Sequence, residues 1–400
     1  MKGISVLSFG ATRGLWEGES AEDFQRMGGY AKQLDQYVVV VNSYKRHRLK
    51  PLRIAANFEA IPTNSFHPFD SFLRMLAIGW RMLRTRKFDI IQAQDPFITG
   101  LVAILLGKYF GKPVNVCVYG PNVYDPHWLT SHWSHGLLGY LGRPVLRWAN
   151  CIQVDGQMTA RSIIAAGHSP GQVEVKPMVP ANLDRFLNIE RAASGGRKSV
   201  RLLFVGRLAS QKNLPLMLAV VKRLQNDGCA DFKLTIVGDG PQEAALRAIS
   251  ARDGLEALVE FRGAVSRDEI VGVFADADVF LLTSDYEGFP RVLMEAAAAA
   301  LPIVTTAVSG SDEMVLDGES GYVTAVRAPD EITEKLRLLI ENPALRQRMG
   351  DAGRSHARTR LDPSYNTAAQ LAIWRKLAAP HSAAAAADAN RPPAPVEKAR

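Results

Sequence analysis

Three short segments in the second half of the chain hold residue types that could bind a phosphate ester and help it leave. The first, Gly206-Arg207-Leu208-Ala209-Ser210-Gln211-Lys212-Asn213, opens on a glycine and sets two cations five residues apart, ahead of a helix predicted from about Leu214. Arginine offers a planar fork of donors and lysine a mobile point charge, so together they can neutralise a leaving diphosphate. Two solvated loop cations would look the same in sequence. The second segment, Gly238-Asp239-Gly240-Pro241, is a tight turn. Its glycines allow positive φ and close approach of a ligand to the backbone, and its proline suits a first helical position. Alone, it is only a turn. The third, Tyr286-Glu287-Gly288-Phe289-Pro290-Arg291-Val292-Leu293-Met294-Glu295-Ala296, places seven residues between two glutamates. A helix starting near Pro290 would aim its free N–H groups and the positive end of its dipole at a phosphate. Glu295, one turn in, can accept hydrogen bonds from a ribose diol. The apolar run Ala296 to Ala300 predicts a buried helix, in which an unpartnered carboxylate would be costly.

Each segment directly follows a predicted strand. Short apolar, β-branched runs alternate with segments of helical period, the pattern of parallel sheets with crossover helices. In the first half the strands are expected at Ile4 to Phe9, Tyr37 to Asn42, Ile90 to Ala93, Val114 to Tyr119 and Cys151 to Val154. After the polar, Gly-rich stretch Ser194 to Ser199 come Val200 to Val205, Lys233 to Val237, Leu258 to Phe261, Val279 to Leu282, Ile303 to Thr305 and Tyr322 to Thr324. The expected architecture is α/β, two doubly wound Rossmann-like domains over residues 1–190 and 198–362, facing each other across a cleft. Open parallel sheets bind ligands beyond the carboxyl ends of their strands, so the site should be shared. Residues 378–400, rich in Ala and Pro, offer no pattern for a core and read as a disordered tail.

Composition sets limits. The chain has 400 residues, 47% apolar and 22% charged, enough for two or three domains whose cores need no disulfide or structural metal. The three cysteines, Cys117, Cys151 and Cys229, show no CxxC spacing and read as reduced structural thiols in the cytoplasm. The apolar start, Ile4 to Phe9, is too short for a signal-peptide core, and the run Phe97 to Leu106 is far below the roughly 20 residues needed to span a bilayer. The net charge of +8 is uneven: 21 Lys and Arg face 14 Asp and Glu through Glu190, and 27 face 26 beyond it. The first half is therefore expected to meet something anionic. A merely soluble basic surface would carry the same charge. No aromatic-basic motif or reading helix points to nucleic acid.

Taken together, GRLASQKN, VGDGP, the Glu287 to Glu295 pair in SDYEGFPRVLMEA, the following LPIVTT and SGSDEMVLDGESGYV resemble the retaining nucleotide-sugar glycosyltransferases of family 4, glycosyl transferases group 1, which have the two-domain GT-B fold. The resemblance implies that Arg207 and Lys212 bind the diphosphate and that Glu295 holds the ribose. It implies that Glu287 and the backbone of Gly288, Phe289 and Pro290, with Val292 and Leu293, grip the transferred sugar and phosphate, and that Gly206, Gly238 and Gly240 shape the nucleotide side. Residues 363–377, including Trp374, resemble the family's last helix, which crosses back to the first domain. The first half matches more loosely, through Phe88 to Phe97 and a glycine loop Gly10 to Gly14. Members commonly have a histidine where this chain has Tyr119-Gly120, and His127, His132 and His135 do not occupy that place. Tyr119 is expected to line the sugar pocket. Ala300 stands where a glycine usually precedes the Leu-Pro pair, a matter of local helix-end geometry. Retention in the family is explained without a firmly identified protein nucleophile, so positioning and charge stabilisation carry the reaction. No DxD-type pair appears, and Arg207 and Lys212 can take the part of a divalent cation, so no metal or other cofactor is expected.

The expected activity is transfer of a hexose from a nucleoside diphosphate sugar to a lipid-linked or glycan acceptor in surface polysaccharide or glycolipid assembly. The expected location is the cytoplasm, peripheral to the inner face of the membrane. The alternatives are a catalytically inactive sugar-nucleotide scaffold and a nucleotide-sugar epimerase on a similar fold. Phe72 to Arg84, basic and apolar, suits an anionic membrane surface, or a buried crossover helix whose arginines reach solvent. Trp128 to Trp148 reads as half packing and half acceptor surface.

Overall fold

The computed structural model describes residues 3–10, 14–18, 22–119, 123–177, 179–180, 183–191, 199–229, 231–360 and 363–389. Strands β1 (Ser5–Gly10), β2 (Gln36–Val41), β3 (Leu52–Ala55), β4 (Phe58–Pro62), β5 (Ile90–Ala93), β6 (Val114–Val118), β7 (Cys151–Val154) and β8 (Val173–Val175) form one sheet in the order β3-β4-β2-β1-β5-β6-β7-β8. Only β3 and β4 pair antiparallel within it. Strands β9 (Val200–Val205), β10 (Phe232–Val237), β11 (Val259–Gly263), β12 (Val279–Leu282), β13 (Ile303–Thr306) and β14 (Gly321–Thr324) form a second, wholly parallel sheet ordered β11-β10-β9-β12-β13-β14. This is the GT-B architecture of two Rossmann-like domains.

The second sheet reverses direction between β9 and β12, which lie side by side. Crevices at such switch points are where doubly wound sheets take ligands. The Arg207 loop leaves β9 and the Glu287 loop leaves β12, so topology alone brings together two segments far apart in sequence.

The predicted strands all form, with ends shifted by at most two residues. Three further strands lack an apolar run to announce them. Along β3 the side chains alternate between half-buried and exposed, and β8 is half-buried throughout, as edge positions require. β4 joins β3 in a hairpin and alternates buried and half-buried residues.

Helix Pro68–Thr85, which contains Phe72 to Arg84, is a crossover helix. His67 caps it by accepting from the Asp70 N–H at 3.2 Å, and Ser71, Met75, Gly79 and Met82 are its buried residues. Arg74, Arg81 and Arg84 are exposed, with Arg74 paired to Asp70 at 2.8 Å. Among the described residues no helix is long and apolar enough to cross a membrane.

The final helix, Pro363–Ala389, is held on the first domain by a row of amides. Gln92 on β5, Asn115 on β6 and Gln153 on β7 are all buried, and Asn115 Nδ2 donates to Gln92 Oε1 at 3.1 Å and to Gln153 Oε1 at 2.9 Å. Gln370 exchanges hydrogen bonds with Gln153 at 2.9 and 3.0 Å, and Trp374 Nε1 donates to Gln92 Oε1 at 2.7 Å. Buried amides are costly unless satisfied, so this helix is specified at one place on the sheet. The helix also runs past Leu377 into the segment read as disordered. Alanine, the strongest helix former, dominates that stretch, and the helix extends to Ala389. Residues 390–400 lie outside the described part. Ala300 takes φ +52°, a left-handed conformation that favours glycine.

Lys176, just after β8, is fully buried, with Nζ 3.5 Å from the Tyr30 hydroxyl. Burial pushes its ammonium down to about 8, and the cation of Arg26 acts in the same direction, while Cys117 and Asp155 oppose it. Below about pH 8 both folded and unfolded chains carry this proton and the full cost of burial is present. Between about 8 and the ordinary lysine range only the unfolded chain holds the proton, so stability rises with pH. Lys176→Met is therefore expected to be more stable than wild type at pH 7, by roughly 1 to 4 kcal/mol. The advantage should shrink above about pH 8 in urea denaturation series. A less stable variant with an unchanged pH slope would contradict this.

Candidate active site

The first two loops interlock through their backbones. Gly206 N–H donates to Val237 O at 3.0 Å, and Leu208 N–H donates to Asp239 O at 2.7 Å. A Cβ at Gly238 would lie 2.0 Å from Gly206 O, and one at Gly240 2.5 Å from Leu208 O. The neighbours that demand glycine at both positions are thus backbone atoms of the first loop. Asn213, at φ +46°, ends that loop and caps helix Leu214–Asn226 by accepting from the Leu216 N–H at 3.4 Å.

The third loop is fastened to the first. Thr283 Oγ1 donates to the carbonyls of Lys212 and Asn213 at 3.1 and 3.2 Å. Asp285 N–H donates to Gln211 O at 2.8 Å, and its carboxylate accepts from Asn213 Nδ2 at 2.8 Å and Arg327 at 2.7 Å. Thr306 Oγ1, on β13, donates to Ser284 O at 2.6 Å. This scaffold sets Lys212 Nζ 2.5 Å from Glu287 Oε1, and Ser284 Oγ donates to the same oxygen at 2.6 Å. The two charged side chains are only 13% and 7% exposed. A lysine fixed in this way presents its charge in one direction without further ordering.

Helix Arg291–Ala298 begins next to this pair. No side chain caps its N-terminus, and Leu293 N–H turns back to Pro290 O at 2.9 Å. A helix start leaves N–H groups without intrahelical partners, so such a terminus suits an anion. Glu295 is half-buried one turn on, Val292 is half-buried, and Leu293 is part of the core. Arg207 is exposed and lines a pocket of about 390 Å³ with Gly206, Gly238, Val265 and Ile270. The loop Ala264 to Arg267, which walls that pocket, follows β11 directly but contains no motif that would single it out.

The ring of Phe289 has a structural task beside its place in the loop. A Cβ at Gly310, φ +83°, would lie 2.7 Å from Phe289 Cδ2, and one at Gly156 would lie 3.2 Å from the same atom. Phe289 therefore fills the seam between the domains. Around it Gln157 N–H donates to Glu313 Oε1 at 2.5 Å, Thr159 Oγ1 meets Ser309 Oγ at 2.8 Å, and Arg161 pairs with Asp312 at 2.5 Å. Ser309 to Glu313 belong to a segment already notable in sequence. Gly156 to Arg161 carried no signal except their place after β7.

Tyr119 sits at the end of β6 with its hydroxyl accepting from Gln153 Nε2 at 2.5 Å, at the margin of the amide row. Burial, reinforced by Cys117, pushes its phenol well above the usual range. His132 caps helix Trp133–Trp148, and His135 Nδ1 meets Trp128 O at 3.0 Å. Gly10 closes against Gln94, while residues 11–13 of the Gly10 to Gly14 loop, and Gly120, lie outside the described part. Among the described residues no three His, Cys, Asp or Glu side chains group as metal ligands.

Comparison with known proteins identifies the family and the fold. Residues 189–356 match the model of the glycosyl transferases group 1 family, and residues 28–178 match that of the glycosyl transferase 4-like domain. A glycogen synthase of Mycobacterium tuberculosis is 32% identical over 283 residues, 70% of this chain and 66% of its own length. The structure of sucrose-phosphate synthase from Thermosynechococcus elongatus superposes with a TM-score of 0.76 at 15% identity, covering 93% of this chain and 99% of that one. Anabaena HepE, solved in complex with UDP, superposes with a TM-score of 0.69 at 16% identity, covering 92% and 99%.

Gly310→Ala should force both a left-handed alanine and a clash with Phe289. The expected cost is about 1–3 kcal/mol in stability, with a lower turnover as Phe289 shifts in its loop. Thermal denaturation and steady-state rates check this; a variant equal to wild type in both would remove Phe289 from the seam.

Proposed function

The chain belongs to the glycosyl transferases group 1 family of GT-B glycosyltransferases, and from that premise we propose that it moves a hexose from a nucleoside diphosphate sugar, with retention, onto a lipid-linked or glycan acceptor. The setting we propose is surface polysaccharide or glycolipid assembly in the cytoplasm, against the inner face of a membrane. The observation that carries this reading is the buried Lys212–Glu287 pair beside the uncapped start of helix Arg291–Ala298. In it the diphosphate lies between Lys212, the helix N-terminus and Arg207, Glu295 takes the ribose hydroxyls, and the base enters the pocket of about 390 Å³. The UDP bound by HepE on the same fold supports a nucleoside diphosphate in this cleft.

The chemistry follows from where charge develops. As the bond between the sugar and the diphosphate breaks, negative charge gathers on the leaving oxygens, and Lys212, Arg207 and the helix dipole stabilise it. Glu287 and the backbone of Gly288 to Pro290 hold the sugar while the acceptor hydroxyl attacks from the face the diphosphate is leaving and gives its proton to the leaving phosphate oxygen, which preserves configuration. Lys212 is already oriented by Glu287 before the donor arrives. The two cations supply the neutralisation for which other transferases use a divalent ion, so transfer is proposed to need no metal.

Lys212→Ala is expected to lower donor turnover about 100-fold or more. Glu295→Ala should weaken donor binding by roughly 1.5 to 3 kcal/mol and discriminate poorly between ribose and deoxyribose donors. Titrations with UDP-, GDP- and ADP-sugars, followed by assays for hydrolysis or transfer, measure both; wild-type behaviour of either variant would overturn the site. Transfer should also persist in excess EDTA, and complete inhibition reversed by added metal would contradict the metal-free step.

A further inference from the structure

Helices Pro68–Thr85, Ile98–Phe110 and Trp133–Trp148 pack side by side on one face of the first sheet, with Trp80 against Tyr109 at 4.3 Å and Lys108 over Trp148 at 3.8 Å. Helix Trp133–Trp148 buries Gly139, Gly142, Val145 and Leu146. Its outward face should then be polar. Instead Trp133, Leu137, Tyr140, Leu141 and Trp148 form an outward stripe at helical spacing, with Trp133 85% and Tyr140 74% exposed. Tyr109 of the neighbouring helix, also exposed, extends the patch. An apolar surface of this extent marks an interaction site.

The charges on these two helices are of one sign. Arg143 and Arg147 flank the stripe, Lys108 borders it, and neither helix Trp133–Trp148 nor helix Ile98–Phe110 contains an acidic residue. Tyr124, Tyr140, Arg143, Arg147 and Trp148 line an open pocket of about 510 Å³ beside the stripe. Arg143 also lies over the Tyr124 ring, 5.3 Å from its centre.

We infer that this face docks on an anionic phospholipid bilayer, with the Trp and Tyr rings at the lipid–water interface and Arg143 and Arg147 at the lipid phosphates. The inference rests on the proposed membrane side of the function and names the surface that serves it. Tryptophan and tyrosine favour the interfacial layer, and cations there gain from anionic head groups. A second copy of the chain is the rival occupant, and charge opposes it. A two-fold contact would press Arg143, Arg147 and Lys108 towards their own counterparts with no carboxylate from these helices between them. The arginine-bearing helix Pro68–Thr85 turns Met75, Gly79 and Met82 inward, so the apolar stripe lies two helices away from Arg74, Arg81 and Arg84. The Trp133 end of its helix lies at the end of the sheet where β6 finishes, so docking brings the cleft close to the membrane.

Co-sedimentation of the full chain with vesicles of phosphatidylcholine, and of phosphatidylcholine containing phosphatidylglycerol, tests this. Wild type should bind the phosphatidylglycerol vesicles and leave them as salt rises. Arg143→Gln with Arg147→Gln should weaken that binding about 30-fold. A variant with serine at Trp133, Leu137, Tyr140, Leu141 and Trp148 should lose it by about 100-fold or more. Because every replaced side chain is exposed, both variants should keep the wild-type melting temperature and nucleoside diphosphate affinity. Wild type that ignores the vesicles, or variants that bind as wild type does, would overturn the docking. So would a wild-type dimer in analytical ultracentrifugation that the serine variant dissolves while vesicle binding stays intact. Intact diphosphate binding with no vesicle binding removes the docking alone; vesicle binding without diphosphate binding removes the proposed function and leaves the docking in place.

Discussion

Lys212 and Glu287 are 75 residues apart in the chain and 2.5 Å apart in space, at 13% and 7% exposure. Either charge alone at such burial would be costly, and the pair is worth its desolvation only if its geometry is held. Much of the second domain's local structure does that holding. Thr283 grips the backbone on both sides of the Lys212–Asn213 bond, Asp285 ties Asn213 to Arg327, and Ser284 shares the carboxylate oxygen with the ammonium. The interlocked glycines of the second loop fix the first loop from the other side. Together these contacts hold the Lys212 ammonium in one fixed place.

The first domain is joined to the final helix through side-chain hydrogen bonds. Its amide row holds the final helix, because Gln370 exchanges hydrogen bonds with Gln153 and Trp374 donates to Gln92. The chain crosses between domains twice, once after β8, since Val179, Leu183 and Phe186 already pack in the core of the second domain, and once before the final helix. Between those crossings Phe289, wedged against Gly156 and Gly310, couples the Glu287 loop to the domain seam. A shift in domain spacing would reach the loop that carries Glu287 through this ring.

Much of this was legible in the sequence because buried parallel strands are apolar runs and the chemistry-bearing loops follow them directly. β9, β12 and their loops could be placed from Val200 to Val205 and Val279 to Leu282 alone. Edge elements were not legible, since β3 and β8 have one side in solvent and lack a continuous apolar pattern. Pairings across distance were also hidden. Nothing in the residue types says that Lys212 turns to Glu287 or that the Tyr119 hydroxyl meets Gln153. The period of helix Trp133–Trp148 was visible, but which of its two apolar sides met the sheet depended on packing.

The most direct measurement is a crystal structure of the chain with a nucleoside diphosphate bound. The account predicts phosphate oxygens within hydrogen-bond distance of Lys212 Nζ and the first-turn N–H groups of helix Arg291–Ala298, with the ribose at Glu295. A diphosphate bound elsewhere, with the Lys212–Glu287 pair closed and untouched, would contradict it.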